Sequence, residues 1–464
     1  MTIWLPDLSG RVGPKYRRIS DAIAEAVARG RLAQGARLPP QRDLAHALGV
    51  SLNTVTRAYA DATDRGFLLG EVGRGTYVRE AGPLPARAVT ADLARPPAGP
   101  IDFSLNLPFP GGAAACLAHT LGNLAGAADL ASFLDYRTVD SPGRHAAAAA
   151  RWLGTLGLDA RPGDIVLTAG AQHGILASLL ATMRPGDVLL ADALTYAPVK
   201  VMAHHLGLKI VPVPGDGGGL CPDGLDAACR RVAARVLYCL PTLHTPTTTT
   251  MDAGRRAAIA AVARRRGLTI IEDDVFGALP PVRPPPLSAL APERTIYITG
   301  VSKSLAPGLR VGYLHAPPDL ARALRSAVSL SSWMPPPLMA EIASRWIEDG
   351  TADRLNRTQR DEAAARQAMA RDLISGRHFA ADPHGFHVWL TLPPQWHADV
   401  FRLEAEHRGV KVVVGGAFAV DPADSPAAIR LCLSHEATRE RVRRGLATIA
   451  DLLGSPGPSE AMIV

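Results

Sequence analysis

Cysteine is scarce. Cys116, Cys221, Cys229, Cys239 and Cys432 are the five among 464 residues, scattered and odd in number. That excludes a disulfide framework, and no pair has metal-ligand spacing, so reduced, buried thiols in a cytoplasmic protein are expected, with no metal site. No apolar run approaches transmembrane length, which excludes a spanning helix. The stretch Met1-Thr-Ile-Trp-Leu-Pro-Asp7 lacks a basic region followed by an apolar one, so no signal peptide is expected. Charged residues make up only 20% of the chain, against 47% hydrophobic. Such a chain can fill a sizeable core rather than stay disordered, and its length suffices for two or three domains.

The formal net charge is +7, which permits an acidic partner without identifying one. Its distribution is more informative. Residues 1–80 carry twelve Arg and Lys against eight Asp and Glu, so +4 of the surplus lies in about a sixth of the chain. A small nucleic-acid-binding unit joined to a nearly neutral large domain has this balance, and so does an ordinary basic surface. Tyr16, Ile19, Ile23 and Val27 recur at helical spacing, with Gly30 placed to end the helix. A second short helix after Leu38-Pro-Pro40 would bury Leu44, Ala45 and Leu48. Gly49-Val50 makes a tight turn, and Ser51 can cap a third helix through Asn53, Thr54, Val55 and Tyr59. This is the helix-turn-helix form, whose second helix presents short polar side chains to the major groove. Two short apolar runs within residues 67–78, around a glycine-rich corner at Gly73-Arg74-Gly75, predict a two-stranded wing.

Residues 14–79 resemble the winged helix of the GntR regulators. The resemblance is carried by Leu38-Pro-Pro-Gln-Arg-Asp-Leu-Ala45, by Gly49-Val-Ser-x-Asn-Thr-Val55 and by Gly70-Glu-Val-Gly-Arg-Gly-Thr-Tyr-Val78. It implies binding to double-stranded DNA, with Arg42 and Thr54 on phosphates or bases, Ser51 and Asn53 beside them, and the Gly73–Arg74 tip in the minor groove. Leu52 stands where the family often has a guanine-reading arginine. Leucine offers no donor to guanine but can touch a thymine methyl. The winged helix is assigned to 11–79, and a proline-rich linker to 80–100.

From residue 101 onward, apolar strands alternate with Ala-rich helices. Asp164-Ile-Val-Leu-Thr, Asp187-Val-Leu-Leu-Ala, Lys209-Ile-Val-Pro-Val, Arg235-Val-Leu-Tyr-Cys-Leu and Leu268-Thr-Ile-Ile-Glu are spaced for crossover helices. That predicts an α/β domain with a mainly parallel sheet, and ligands bind such sheets at the carboxyl ends of strands. Polar clusters fall at those ends. Thr168-Ala-Gly-Ala-Gln-His-Gly174 is a glycine turn opening a helix, able to offer free amides to a phosphate. Thr195-Tyr196 is a second cluster, and Tyr196 is equally readable as a core residue. In Ile270-Ile-Glu-Asp-Asp-Val-Phe276 three acids follow a buried strand, and one carboxylate paired with a cationic ring nitrogen would resolve so awkward a solvent-facing loop. Arg430, inside the apolar Ala428-Ile-Arg-Leu-Cys-Leu, needs an anion, either a carboxylate ligand or a structural salt-bridge partner. The densest cluster is Thr299-Gly-Val-Ser-Lys-Ser-Leu-Ala-Pro-Gly-Leu-Arg-Val-Gly312. Lys303 there is flanked by apolar sequence, and desolvation would leave its amine free to attack a carbonyl.

Residues 101–458 resemble the fold-type I pyridoxal 5'-phosphate (PLP) aminotransferases through the spaced series Tyr196, Asp273, Lys303, Arg310 and Arg430. The resemblance implies that Lys303 forms a Schiff base with PLP, while Arg310, Ala171 and Gln172 hold the phosphate. Asp273 would pair with the pyridine nitrogen, with Asp274 as its exposed neighbour, Tyr196 would lie across the ring, and Arg430 would take an effector carboxylate. Tyr136 matches a tyrosine that reaches the neighbouring subunit's phosphate, implying a homodimer. A winged helix followed by this domain is the layout of the MocR subfamily of GntR regulators. Three departures stand out. Thr245 replaces the asparagine that bonds the pyridoxal 3-oxygen, Phe276 replaces a tyrosine, and Gly300 takes the place of a phosphate-binding Ser or Thr. Losing both partners of the 3-oxygen should raise the Schiff-base pKa, slow amine exchange and weaken PLP retention. The expectation is a transcription regulator controlled by PLP, or by an amino compound that forms an aldimine with it. An active aminotransferase with a regulatory DNA-binding domain, and a DNA binder whose large domain only dimerises, are the alternatives.

Overall fold

The computed structural model describes residues 4–8, 13–28, 31–33, 35–64, 67–71, 75–78, 95, 98–109, 111–126, 130–136 and 143–455. The chain divides into two compact units, Met1–Asp92 and Leu93–Val464.

The first unit contains α1 (Lys15–Ala28), α2 (Gln41–Leu48), α3 (Leu52–Asp64), β1 (Leu68–Glu71) and β2 (Gly75–Val78). The helical spacing of the sequence is realised in one core, where Ile19 and Ile23 of α1 meet Leu44, Val55, Ala58, Tyr59, Leu68 and Val78. Tyr16, Val27 and Leu48 pack against its edge. The turn between α2 and α3 is made by Gly49 at φ 62°, a left-handed conformation that glycine adopts without Cβ strain. Ser51 caps α3 as expected, its Oγ accepting from the Thr54 amide at 3.2 Å. β1 and β2 pair antiparallel, Leu68 opposite Val78 and Glu71 opposite Gly75. The predicted helix stop Gly30 and the wing-tip residues Gly73 and Arg74 lie outside the described residues.

The second unit is α/β. Its strands are β3 (Ile165–Thr168), β4 (Val188–Asp192), β5 (Lys209–Val213), β6 (Ala234–Cys239), β7 (Thr269–Asp273), β8 (Thr295–Gly300) and β9 (Gly312–His315). They form a seven-stranded sheet in the order β3-β9-β8-β7-β6-β4-β5. Strands β8, β7, β6, β4 and β5 run parallel, while β9 is antiparallel to both neighbours. The helices used below are α4 (Gly143–Thr155), α5 (Ala171–Thr182), α6 (Ala197–His205) and α7 (Thr351–Leu373). Both faces of the sheet are covered, as near-continuous apolar strands require. Val236, Tyr238, Ile271 and Ile298 point into one core, whereas Leu237, Cys239 and Ile270 point into another. A second, antiparallel sheet consists of β10 (Phe379–Ala381), β11 (His387–Thr391), β12 (Val413–Val414) and β13 (Ala428–Cys432), in the order β10-β11-β13-β12. All five cysteines are free. Only Cys239 and Cys432 are buried; Cys116, Cys221 and Cys229 are half-buried, short of the burial expected of all five. No helix among the described residues is long and apolar enough to cross a membrane.

Candidate cofactor site and nucleic-acid face

The carboxyl ends of the parallel strands bring the separated sequence clusters to one rim. β7 ends at Asp273, buried to 3% exposure. Its Oδ2 accepts the Tyr238 hydroxyl at 2.6 Å, from the neighbouring strand β6, whereas Oδ1 is buried without a partner. Burial pushes the Asp273 carboxyl up to about 6, against the opposing pull of the Tyr238 hydroxyl and of the Val275 amide close by. Asp274 was expected to be exposed and is not. One residue past the strand, it falls on the opposite face of the sheet, where it is fully buried between Arg283 Nη1 and the Tyr297 hydroxyl, each at 2.5 Å.

β8 leads into the turn that carries Lys303. Its Nζ donates a short hydrogen bond to the Asn106 carbonyl and lies 5.6 Å from the Phe276 ring centre. Burial lowers the Lys303 pKa to about 8, with Arg430 and Arg310 also acting downward. Seven residues on, Arg310 turns back through φ 50° to lie over the start of α5. Its Nη2 donates to Ala169 O at 3.2 Å. A Cβ on Gly170 (φ 86°) would stand 2.5 Å from that same nitrogen, so only glycine lets the guanidinium approach the helix terminus. Ala171 and Gln172 are the first two residues of α5, and no side chain caps its amides. The open amides, the helix dipole and Arg310 together suit a phosphate group.

Tyr196 precedes α6 and is half-buried, its pKa pushed up to about 12 by burial, with Asp273, Arg430 and Arg310 all acting on it. Arg430 sits mid-strand in β13, its guanidinium 4.8 Å from the Phe418 ring. Nη2 donates to Ser104 O at 2.7 Å, and Nε is buried without a partner. Arg430 therefore has a backbone anchor and a spare donor, and no structural salt bridge among the described residues. Thr245 is buried in the loop after β6, and its Oγ1 has no partner. Tyr136 does not join the rim. It is 83% exposed and packs edge-on against Trp333, with ring centres 5.8 Å apart.

In the small unit, Ser51 and Asn53 are exposed at the start of α3, Thr54 is half-buried and Arg42 is exposed on α2. Thr54 also shares a hydroxyl contact with Ser51 at 2.8 Å. Thr56 ties α3 to Gln41 of α2 at 2.7 Å, fixing the angle between the two helices.

A family model for bacterial regulatory proteins of the gntR family matches residues 15–78, and one for aminotransferase class I and II matches residues 112–449. The chain is 27% identical over 450 residues to YdeF, an uncharacterized HTH-type transcriptional regulator of Bacillus subtilis, spanning 97% of this chain and 96% of that one. It is 30% identical over 416 residues to the vitamin B6 salvage pathway transcriptional repressor PtsJ of Salmonella typhimurium, spanning 88% and 92%. The solved structure of LysN, an alpha-aminoadipate aminotransferase of Thermus thermophilus complexed with N-(5'-phosphopyridoxyl)-L-leucine, matches with a TM-score of 0.68 at 25% identity, over 77% of this chain and 92% of that one. The chain belongs to the MocR-type GntR regulators. Its fold is thus a winged helix-turn-helix joined to an aminotransferase-like domain.

This MocR-type regulator also uses residues that the sequence motifs did not mark. Asn106 and Ser104, on the strap that precedes the first helix of the large unit, receive Lys303 and Arg430 through their carbonyls. The Asn106 amide lies 3.2 Å from His387 Nδ1, and His387 Nε2 lies 3.3 Å from the His244 carbonyl. Burial holds the His387 imidazole neutral, near a pKa of about 3. With Nε2 donating to His244, Nδ1 must accept from the amide, leaving Asn106 Oδ1 buried and unpartnered. Nothing in the local sequence of Ser104 or Asn106 announces these contacts. Tyr238 was more legible, as a hydroxyl-bearing residue near the end of the strand beside Asp273.

Proposed function

We propose that the chain is a DNA-binding transcription regulator controlled by PLP, or by an amino compound that condenses with it. The observation carrying this reading is Asp273, a buried carboxylate with one oxygen held by Tyr238 and the other unpartnered. A protonated ring nitrogen is the donor such an oxygen lacks. The same rim holds an amine depressed to about 8 and an open helix terminus under Arg310, so the residues present fit the group. When bound, PLP supplies a reactive carbonyl and an electron sink.

The chain's own residues then have distinct tasks. Asp273 keeps the ring nitrogen protonated, Tyr196 covers one ring face, and Arg310 with the amides of Ala171 and Gln172 anchors the phosphate. Lys303 is the exchangeable amine. Arg430 holds the effector's carboxylate through its spare Nε. Thr245 offers a single buried hydroxyl toward the 3-oxygen, and Phe276 offers none, which favours binding over rapid turnover. The exposed polar start of α3 enters the major groove, with Arg42 on the backbone. Gly73 and Arg74 contact the minor groove, and Tyr136 meets a second copy of the chain in a homodimer. The similarity to PtsJ, a vitamin B6 salvage pathway transcriptional repressor, supports a cofactor-responsive role.

The test is the visible absorption spectrum of purified protein after PLP addition, compared with Lys303→Ala. A new band in the wild type alone is the expected result. Identical spectra for both proteins, indistinguishable from free PLP, would sink the reading.

A further inference from the structure

A cavity of about 160 Å³ lies behind the rim, on the Asp274 side of the sheet. α4 contributes Trp152, and the segment after β7 contributes Ala278 and Arg283. α7 contributes Asp353, Asn356, Arg357 and Arg360, spaced i, i+3, i+4 and i+7 and so sharing one helix face. The space exceeds what one water needs and is well below the roughly 300 Å³ of a drug-sized pocket.

Its lining residues carry unused hydrogen-bonding groups. Trp152 Nε1, Arg283 Nε and Nη2, and Asn356 Oδ1 are all buried without a partner. The Arg283 side chain is only 9% exposed, and its Nη1 is already committed to Asp274. The Ala278 carbonyl is saturated, accepting from Asn356 Nδ2 at 2.7 Å and from Arg360 Nη2 at 2.7 Å. That bond fixes the Asn356 amide, so the unpartnered Oδ1 is an acceptor. Beyond the Arg283–Asp274 pair, Arg357 and Arg360 outweigh Asp353 by one positive charge.

We propose that this cavity binds a small oxyanion that retains an O–H, hydrogen phosphate being the simplest. Three donors and a net positive charge suit the oxygens, and Asn356 Oδ1 takes the proton that a fully deprotonated anion lacks. The site is distinct from the Lys303 rim, since Asp273 and Asp274 face opposite sides of the sheet. Arg283 links the two, because the side chain lining the cavity also holds Asp274, the chain neighbour of Asp273.

The experiment is isothermal titration calorimetry of the full chain carrying Arg310→Met, which removes the other place where phosphate would settle. Inorganic phosphate is titrated at constant ionic strength, with sulfate as the anion lacking an O–H. Saturable phosphate binding, one per chain and about tenfold tighter than sulfate, is expected. Arg357→Glu, at an exposed position on the cavity wall, should weaken it at least tenfold with the melting curve unchanged. Arg360→Gln should weaken it as well. The proposal is overturned by an absence of saturable heat, by sulfate binding as tightly as phosphate, or by full phosphate affinity in Arg357→Glu.

Discussion

Tyr238 and Asp273 stand on adjacent parallel strands, and the 2.6 Å bond between them holds one carboxylate oxygen while leaving the other free. This arrangement is costly without a ligand. Burial lifts the Asp273 pKa to about 6 in the folded chain, against roughly 3.9 in an unfolded one. Between those values the folded state binds more protons, so stability falls as pH rises through the window, and the loss is complete above about 6. Asp273→Asn should therefore raise the melting temperature of the PLP-free protein at neutral pH and flatten its decline between pH 4 and 6. The same variant should bind PLP about 10- to 100-fold more weakly, because it loses a charge-assisted bond. Absorbance titration reads the affinity. An undiminished affinity would remove Asp273 from the cofactor role.

Lys303 should set the pH dependence of PLP capture. Only the neutral amine attacks a carbonyl, and burial places its pKa at about 8 instead of the usual 10.4 or so. The capture rate should rise roughly fifty-fold from pH 6 to pH 8 and then level off. Stopped-flow absorbance across that range reads it. A rate still climbing tenfold per unit near pH 9 would mean that Lys303 behaves as an ordinary solvent-exposed lysine.

Much of this site was legible because its members sit where strand periodicity ends. Asp273, Lys303 and the Gly170 turn each follow an apolar strand, and parallel strands gather such ends to one rim, whereas Arg310 reaches it by preceding the antiparallel β9. What sequence could not supply was partnership across long separations. Asn106 meets Lys303 and His387 from nearly 200 and nearly 300 residues away, and no local pattern encodes that. The burial of Asp274 escapes local sequence for a related reason. Strand alternation sends it to the opposite face from Asp273, and a buried carboxylate there is tolerable only because Arg283 and Tyr297 meet it. Arg283 lies in a proline-rich loop that gives no sign of burial.

Leu52 should decide part of the operator sequence. It is 43% exposed at the first turn of α3, next to Asn53, and carries no donor for a base edge. Apolar contact with a thymine methyl is the interaction open to it. Binding-site selection from a random DNA pool should return thymine at one position of each half-site. Leu52→Arg should change that preference to guanine, with discrimination of about 1–3 kcal/mol. Unchanged preference at every position would show that Leu52 does not face the bases.

Phe276 is where a single atom should alter the cofactor's chemistry. The ring is buried to 3% exposure, packs edge-on against Phe386 and lies 5.6 Å from the Lys303 amine. Phe276→Tyr adds a hydroxyl in a place where an unpartnered one costs about 1–3 kcal/mol. If the hydroxyl meets the 3-oxygen of PLP, it stabilises the phenolate and offsets that cost only when cofactor is bound. PLP affinity should then rise by up to about tenfold, and the pH at which the visible band of the loaded protein changes should move down. Thermal melts with and without PLP separate the two states: the variant should be destabilised when empty and recover when loaded. A variant destabilised equally in both states, with an unshifted spectral midpoint, would show that the hydroxyl finds no partner and that Thr245 alone serves the 3-oxygen.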